Sequence, residues 1–93
     1  MDQPRLEVEY PSAGEIVSSA HYTFRVSATE ALVEAEISID RGSWKPCRHA
    51  CGLWWYDWTG YEEGSHQVAA RGIARDGRAL NSTFRPFEVS FRR

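Results

Sequence analysis

A two-residue rhythm constrains this chain more than any other feature. Leu6, Val8 and Tyr10 alternate with Arg5, Glu7 and Glu9, and Tyr22, Phe24, Val26 and Ala28 alternate with Thr23, Arg25 and Ser27. Near the end, Phe87, Val89 and Phe91 alternate with Glu88, Ser90 and Arg92. Successive side chains of a strand point to opposite faces, so each segment has one apolar and one polar face. An apolar sheet face must be covered by a second layer, which already favours two packed sheets.

Two periods compete over Thr29–Asp40. TEALVEAEISID opens like a capped helix and holds good helix formers in Ala31, Leu32 and Glu34. Yet Val33, Ala35, Ile37 and Ile39 fall on one side at period two, with Glu34, Glu36 and Ser38 on the other, which predicts a strand. Asp40-Arg41-Gly42 then reads as a tight hairpin turn, with Gly42 supplying positive φ. Trp44 begins the return strand, which Pro46 ends or confines to a sheet edge.

CRHACG reads as a loop and LWWYDW as an aromatic strand, with Gly60 and Gly64 bracketing the next loop. His66 to Ala74 reads as a strand with Val68 and Ala70 inward, followed by a turn at Asp76-Gly77. The sum is about seven short antiparallel strands at the 8–12-residue spacing of a β-sandwich. The predicted class is all-β.

A chain of 93 residues closes one core, so residues 1–93 are expected to form a single domain. Its 42 % hydrophobic and 26 % charged content suits a folded globular chain, and a net charge of −2 gives no general attraction for phosphate backbones. Nucleic acid is not an expected partner. Nor is membrane insertion, since no run of about 18 apolar residues occurs. Arg85, Arg92 and Arg93 form the one basic cluster, read as solubilising the end of the chain. MDQPRLEVEY does not read as a secretory signal. The expected compartment is cytoplasmic for a chain complete as written, and extracellular or cell-envelope for a piece of a longer exported protein.

Taken in order, YPSAGEIV, VEAEISIDRGSW, WYDWTG and EEGSHQVAARGIARDGR form a pattern that resembles bacterial immunoglobulin-like domains and their fibronectin-type-III-like relatives. The middle and end also resemble the C-terminal immunoglobulin-like dimerisation domain of sulfite-oxidase-type molybdopterin enzymes. That domain carries a comparable hairpin before a Trp and a comparable W-x-x-W strand. The resemblance implies an immunoglobulin-like sandwich acting as an accessory module, with a protein partner or an adjoining domain. It implies no catalytic residues.

Some residues could still carry chemistry. CRHAC places Cys47, His49 and Cys51 within five residues. A disulfide between Cys47 and Cys51 would need Cα atoms within roughly 7 Å and an oxidising compartment. Zinc would need a fourth ligand from His66 or Asp57, and one pair of cysteines falls short of the usual structural set, so no metal or other cofactor is expected. A thiol nucleophile with His49 as base lacks an orienting third group. If Trp54, Tyr56 and Trp58 face inward, Trp55 faces out, and with Trp44 and Tyr61 it could form a sugar-stacking or protein-anchoring patch. Asp57, Glu62 and Glu63 suggest paired carboxylates, but a domain of this size leaves no room for a deep cleft beside its core. His21 and His66 read as surface or capping residues.

Overall fold

The computed structural model describes residues 5–91, which hold ten strands and no helix. These are β1 (Leu6–Tyr10), β2 (Ile16–Val17), β3 (His21–Ala28), β4 (Leu32–Ile39), β5 (Lys45–Pro46), β6 (Arg48–Ala50), β7 (Leu53–Thr59), β8 (Gly64–Ala74), β9 (Ala79–Asn81) and β10 (Arg85–Val89). One sheet runs β1-β3-β7-β6, and the other runs β2-β10-β8-β4-β5. β9 and β10 lie end to end along β8, facing Arg71–Ile73 and Gly64–Val68 respectively. The expected sandwich is present. Its strands outnumber the expected seven because β2, β5, β6 and β9 have only two or three residues each. The β2–β10 pair is parallel, a departure from the all-antiparallel expectation.

The core forms where the inner faces meet. Phe24 and Val26 of β3, with Leu6, Val8 and Trp54, pack against Ile37, Val68, Ala70, Phe87 and Val89 of the other sheet. Phe24 meets Phe87 edge-on across the interface, ring centres 5.8 Å apart and planes at 78°. Thr29–Asp40 contains β4 and no helix, as the period-two pattern requires.

Four local expectations need correction. First, Val33 is 60 % exposed while Leu32 is buried, because the register of β4 on β8 shifts between Leu32 and Glu34 and turns Val33 outward. Tyr10 is turned out by a similar shift after Val8, and Phe91 lies beyond β10, 42 % exposed. Second, the Asp40 turn takes its positive φ at Asp40 (55°) and Arg41 (59°), not at Gly42. Gly42 serves close approach instead, since a Cβ there would sit 3.1 Å from the Ile39 carbonyl oxygen that its N–H contacts. Third, CRHACG is not a loop: β6 pairs with β7 through a two-residue hairpin at Cys51 (φ 53°) and Gly52 (φ 74°). Fourth, Arg85 does not merely solubilise an end, because its guanidinium reaches from β10 to the carbonyls of Val8 and Pro11. Arg92 and Arg93 lie outside the described residues.

The register also fixes the direction of the whole module. Leu6 pairs with Ala28, and Leu32 with Ala74, so β1 starts at the pole where β3 and β8 end. Val89 pairs with Gly64, which puts the end of β10 at the opposite pole. The body measures 45 × 24 × 24 Å.

Candidate binding cleft between the sheets

The cleft arises from one crossover. After pairing with β4, the chain leaves β5 at Cys47, whose N–H donates to the Ala35 carbonyl, and joins the other sheet as β6. β6 pairs with β7 only from Leu53 to Trp55. Beyond it, the lower part of β7 has no strand on that edge among the described residues. A cavity of about 410 Å³ opens there, between Tyr56 and Trp58 of β7 and the hairpin joining β4 to β5. Asp40, Lys45, Tyr61, Glu62 and His66 complete its walls.

Trp58 organises the aromatic wall. Tyr61 stacks on its ring at 3.9 Å and 16°, while Phe24, Phe87 and His66 approach at 5.2–5.6 Å. The Tyr61 hydroxyl donates to the Ser19 carbonyl, which ties the loop after β7 to the start of β3. Tyr56, Trp58 and Tyr61 remain partly exposed. Tyr56 and Trp58, read from the sequence as core, thus also line a cavity; nothing in their spacing distinguishes the two roles.

His66 bridges two walls of the cleft. Its Nδ1 lies 2.6 Å from Asp40 Oδ2 and its Nε2 lies 2.7 Å from the Glu62 carbonyl, with only 12 % of the side chain exposed. Both partners can only accept. Both ring nitrogens must therefore donate for both bonds to form, which selects the imidazolium. Burial pushes the His66 pKa down, but the Asp40 and Glu62 bonds outweigh it and raise the pKa overall. A pKa raised on folding stabilises the fold fully below the unfolded histidine value of about 6.5, and this stabilisation is lost as pH rises through the folded value. Denaturant midpoints are accordingly expected to fall as pH rises above about 6.5. His66→Gln should lower stability at pH 6 and flatten that slope; an unchanged slope would refute the imidazolium bridge.

The three aromatic residues proposed as a patch do not share a surface. Trp44 lies under the Arg71 guanidinium at 4.2 Å, beside the Arg71–Glu36 pair on the outer face of the β8 sheet. Trp55 lies on the outer face of the other sheet, opposite Arg25 and Arg48, its indole N–H donating to the Ala50 carbonyl. Tyr61 alone reaches the cleft. Alternation sends Trp55 and Trp44 outward, but from opposite layers of the sandwich.

Cys47 and Cys51 are separate thiols at either end of β6. An extended strand advances about 3.3 Å per residue, so four residues set them roughly 13 Å apart, well beyond disulfide reach. Burial, with help from Glu36, pushes the Cys47 thiol up to about 11, which leaves it protonated and unreactive at neutral pH. His49 stacks on Trp54 at 4.4 Å. No cluster of three metal-ligating side chains occurs among the described residues. The acidic stretch is likewise divided. Asp57 faces outward, held below the usual carboxylate range by Thr23 and Arg48, while Glu63 accepts from the Phe91 N–H.

No protein-family model matches the chain, and no curated protein matches it. Solved structures do. A fibronectin(III)-like module of Clostridium thermocellum CbhA superposes with a TM-score of 0.75 at 16 % identity, covering 95 % of this chain and 98 % of that one. A modular endo-β-1,4-mannanase from Cellulomonas fimi gives 0.74 at 21 % identity, over 95 % of this chain and 19 % of its own length. An engineered protein gives 0.74 at 20 % identity, also over 95 % of this chain and 19 % of that one. The fold of this chain is thus that of an immunoglobulin-like, fibronectin(III)-like β-sandwich.

Proposed function

We propose that this chain is a non-catalytic accessory module that spaces or docks neighbouring parts of a larger protein or assembly. The observation that carries this reading is the direction of the chain: it enters at one pole of a 45 Å body and leaves at the other. A module so threaded adds its long axis to whatever it connects. Its outer faces suit that role. Cross-strand pairs such as Glu9–Arg25, Arg48–Asp57 and Glu36–Arg71 cover them with charge, which disfavours nonspecific sheet-to-sheet association. The similarity to a fibronectin(III)-like module of CbhA and to one part of a modular mannanase supports the same reading.

Small-angle scattering on two copies joined head to tail tests the spacer role. The maximum dimension is expected to grow by about one module length, and a compact side-by-side pair would count against it. Absence of turnover is checked separately, by assaying reducing ends in polysaccharide incubated with the chain. Sugar binding stands as a second reading, favoured by one observation, the aromatic cleft.

A further inference from the structure

The geometry points to a carbohydrate site in the cleft beside β7, one that takes a neutral pyranose unit of a polysaccharide. This inference rests on the non-catalytic reading above and gives the module a ligand. Three properties of the cleft converge on that chemistry.

Its walls are of two kinds. Tyr56, Trp58 and Tyr61 line it with aromatic side chains, Tyr61 being itself stacked between Trp58 at 3.9 Å and Phe91 at 6.1 Å, and Asp40, Lys45 and Glu62 offer polar groups within the same cavity of about 410 Å³. A pyranose has the matching duality, with an apolar C–H face for rings and a rim of hydroxyls for carboxylates and ammonium groups. The volume lies at the lower end of the range for small-molecule sites, about 300–1,000 Å³, which suits a ring or two of a chain passing through an open cleft.

Charge narrows the choice. Asp40 is matched by His66 at 2.6 Å, and Glu62 and Lys45 carry opposite charges. A phosphate or sulfate would meet two carboxylates, and an ammonium ligand would meet Lys45 and His66. A neutral ligand meets neither obstacle.

The engagement of the cleft's carboxylates favours binding over hydrolysis. The Asp40 carboxylate already accepts from the Gln67 N–H and from His66, which leaves the exposed Glu62 as the one uncommitted carboxylate of the cleft among the described residues, and glycoside hydrolysis ordinarily needs two.

Calorimetric and tryptophan-fluorescence titrations with hexaoses of β-1,4-linked glucose, β-1,4-linked mannose and α-1,4-linked glucose test the proposal. At least one is expected to bind saturably. Tyr56→Ala should weaken that binding tenfold or more, and the exposed pair Lys45→Ala with Glu62→Gln should weaken it at least fivefold without disturbing the fold. Trp55→Ala, on the opposite side of the sheet, should leave it within twofold. No saturable binding to any of the three, or binding lost on Trp55→Ala but kept in the Lys45/Glu62 double variant, overturns the site. Release of reducing ends by the unaltered chain would instead sink the non-catalytic reading, so the two failures are distinguishable.

Discussion

Phe24→Ala is expected to destabilise the fold by about 3–5 kcal/mol, the usual range for truncating a buried Phe. Phe24 is fully buried, contacts Tyr22, Tyr56 and Trp58 within its own sheet, and meets Phe87 of the other. The substitution therefore opens a void at the junction of both layers. Surrounding aromatic rings, two edge-on and two tilted, have little freedom to collapse into it. Against a typical total stability of about 5–15 kcal/mol, the loss should show as a large fall in the urea midpoint with little change in slope. Val33→Ala is the matched control, expected to cost less than about 0.5 kcal/mol because Val33 is 60 % exposed. Similar midpoints for the two variants would mean that the sheets do not meet at Phe24.

That contrast marks where the sequence is legible and where it stops. Phe24 and Val33 each sit at a period-two apolar position, and alternation assigns both to the core. It succeeds for β3, where the register is regular from His21 to Val26. It fails for β4 at a single register shift, which no pattern of residue types announces. The turn residues tell a similar story. Cys51 and Arg41 occupy positive φ, where sequence rules expect Gly or Asn, so the hairpin before β7 reads as a loop and the Asp40 turn is assigned to the wrong residue. The sandwich survives these errors because two apolar faces must meet wherever the individual turns fall.

The cleft was far less legible than the fold. Its lining is drawn from β4, β5, β7, β8 and two connections, and only the crossover at Cys47 brings these elements to one place. The sequence marks LWWYDW as unusual but does not say that β6 begins opposite Trp55, leaving Tyr56 and Trp58 beyond its reach. Asp40 illustrates the limit further. In sequence it is a turn residue; in the fold its carboxylate holds both His66 and the Gln67 N–H.

Gly72 carries the second large effect, and there the two rules for strands give opposite signs. It lies mid-strand in β8, paired with Ala35, where strand propensity alone favours a β-branched residue by about 1 kcal/mol. Its φ is not of the kind reserved for glycine. Packing reverses the sign, because a Cβ at Gly72 would lie 2.7 Å from Leu32 Cδ1, 3.0 Å from Leu6 Cδ1 and 3.1 Å from the Glu34 carbonyl oxygen. Gly72→Ala needs the leucine methyl groups to shift and the Glu34 carbonyl to give slightly, and is expected to cost roughly 1 kcal/mol. Gly72→Val places two further carbons against the same atoms and is expected to cost about 3 kcal/mol, the upper end for overpacking. Thermal unfolding should rank the unaltered chain above Gly72→Ala and Gly72→Val last. If valine instead raises the midpoint, strand propensity governs the site, and the close approach of β1 and β4 to Gly72 does not hold in solution.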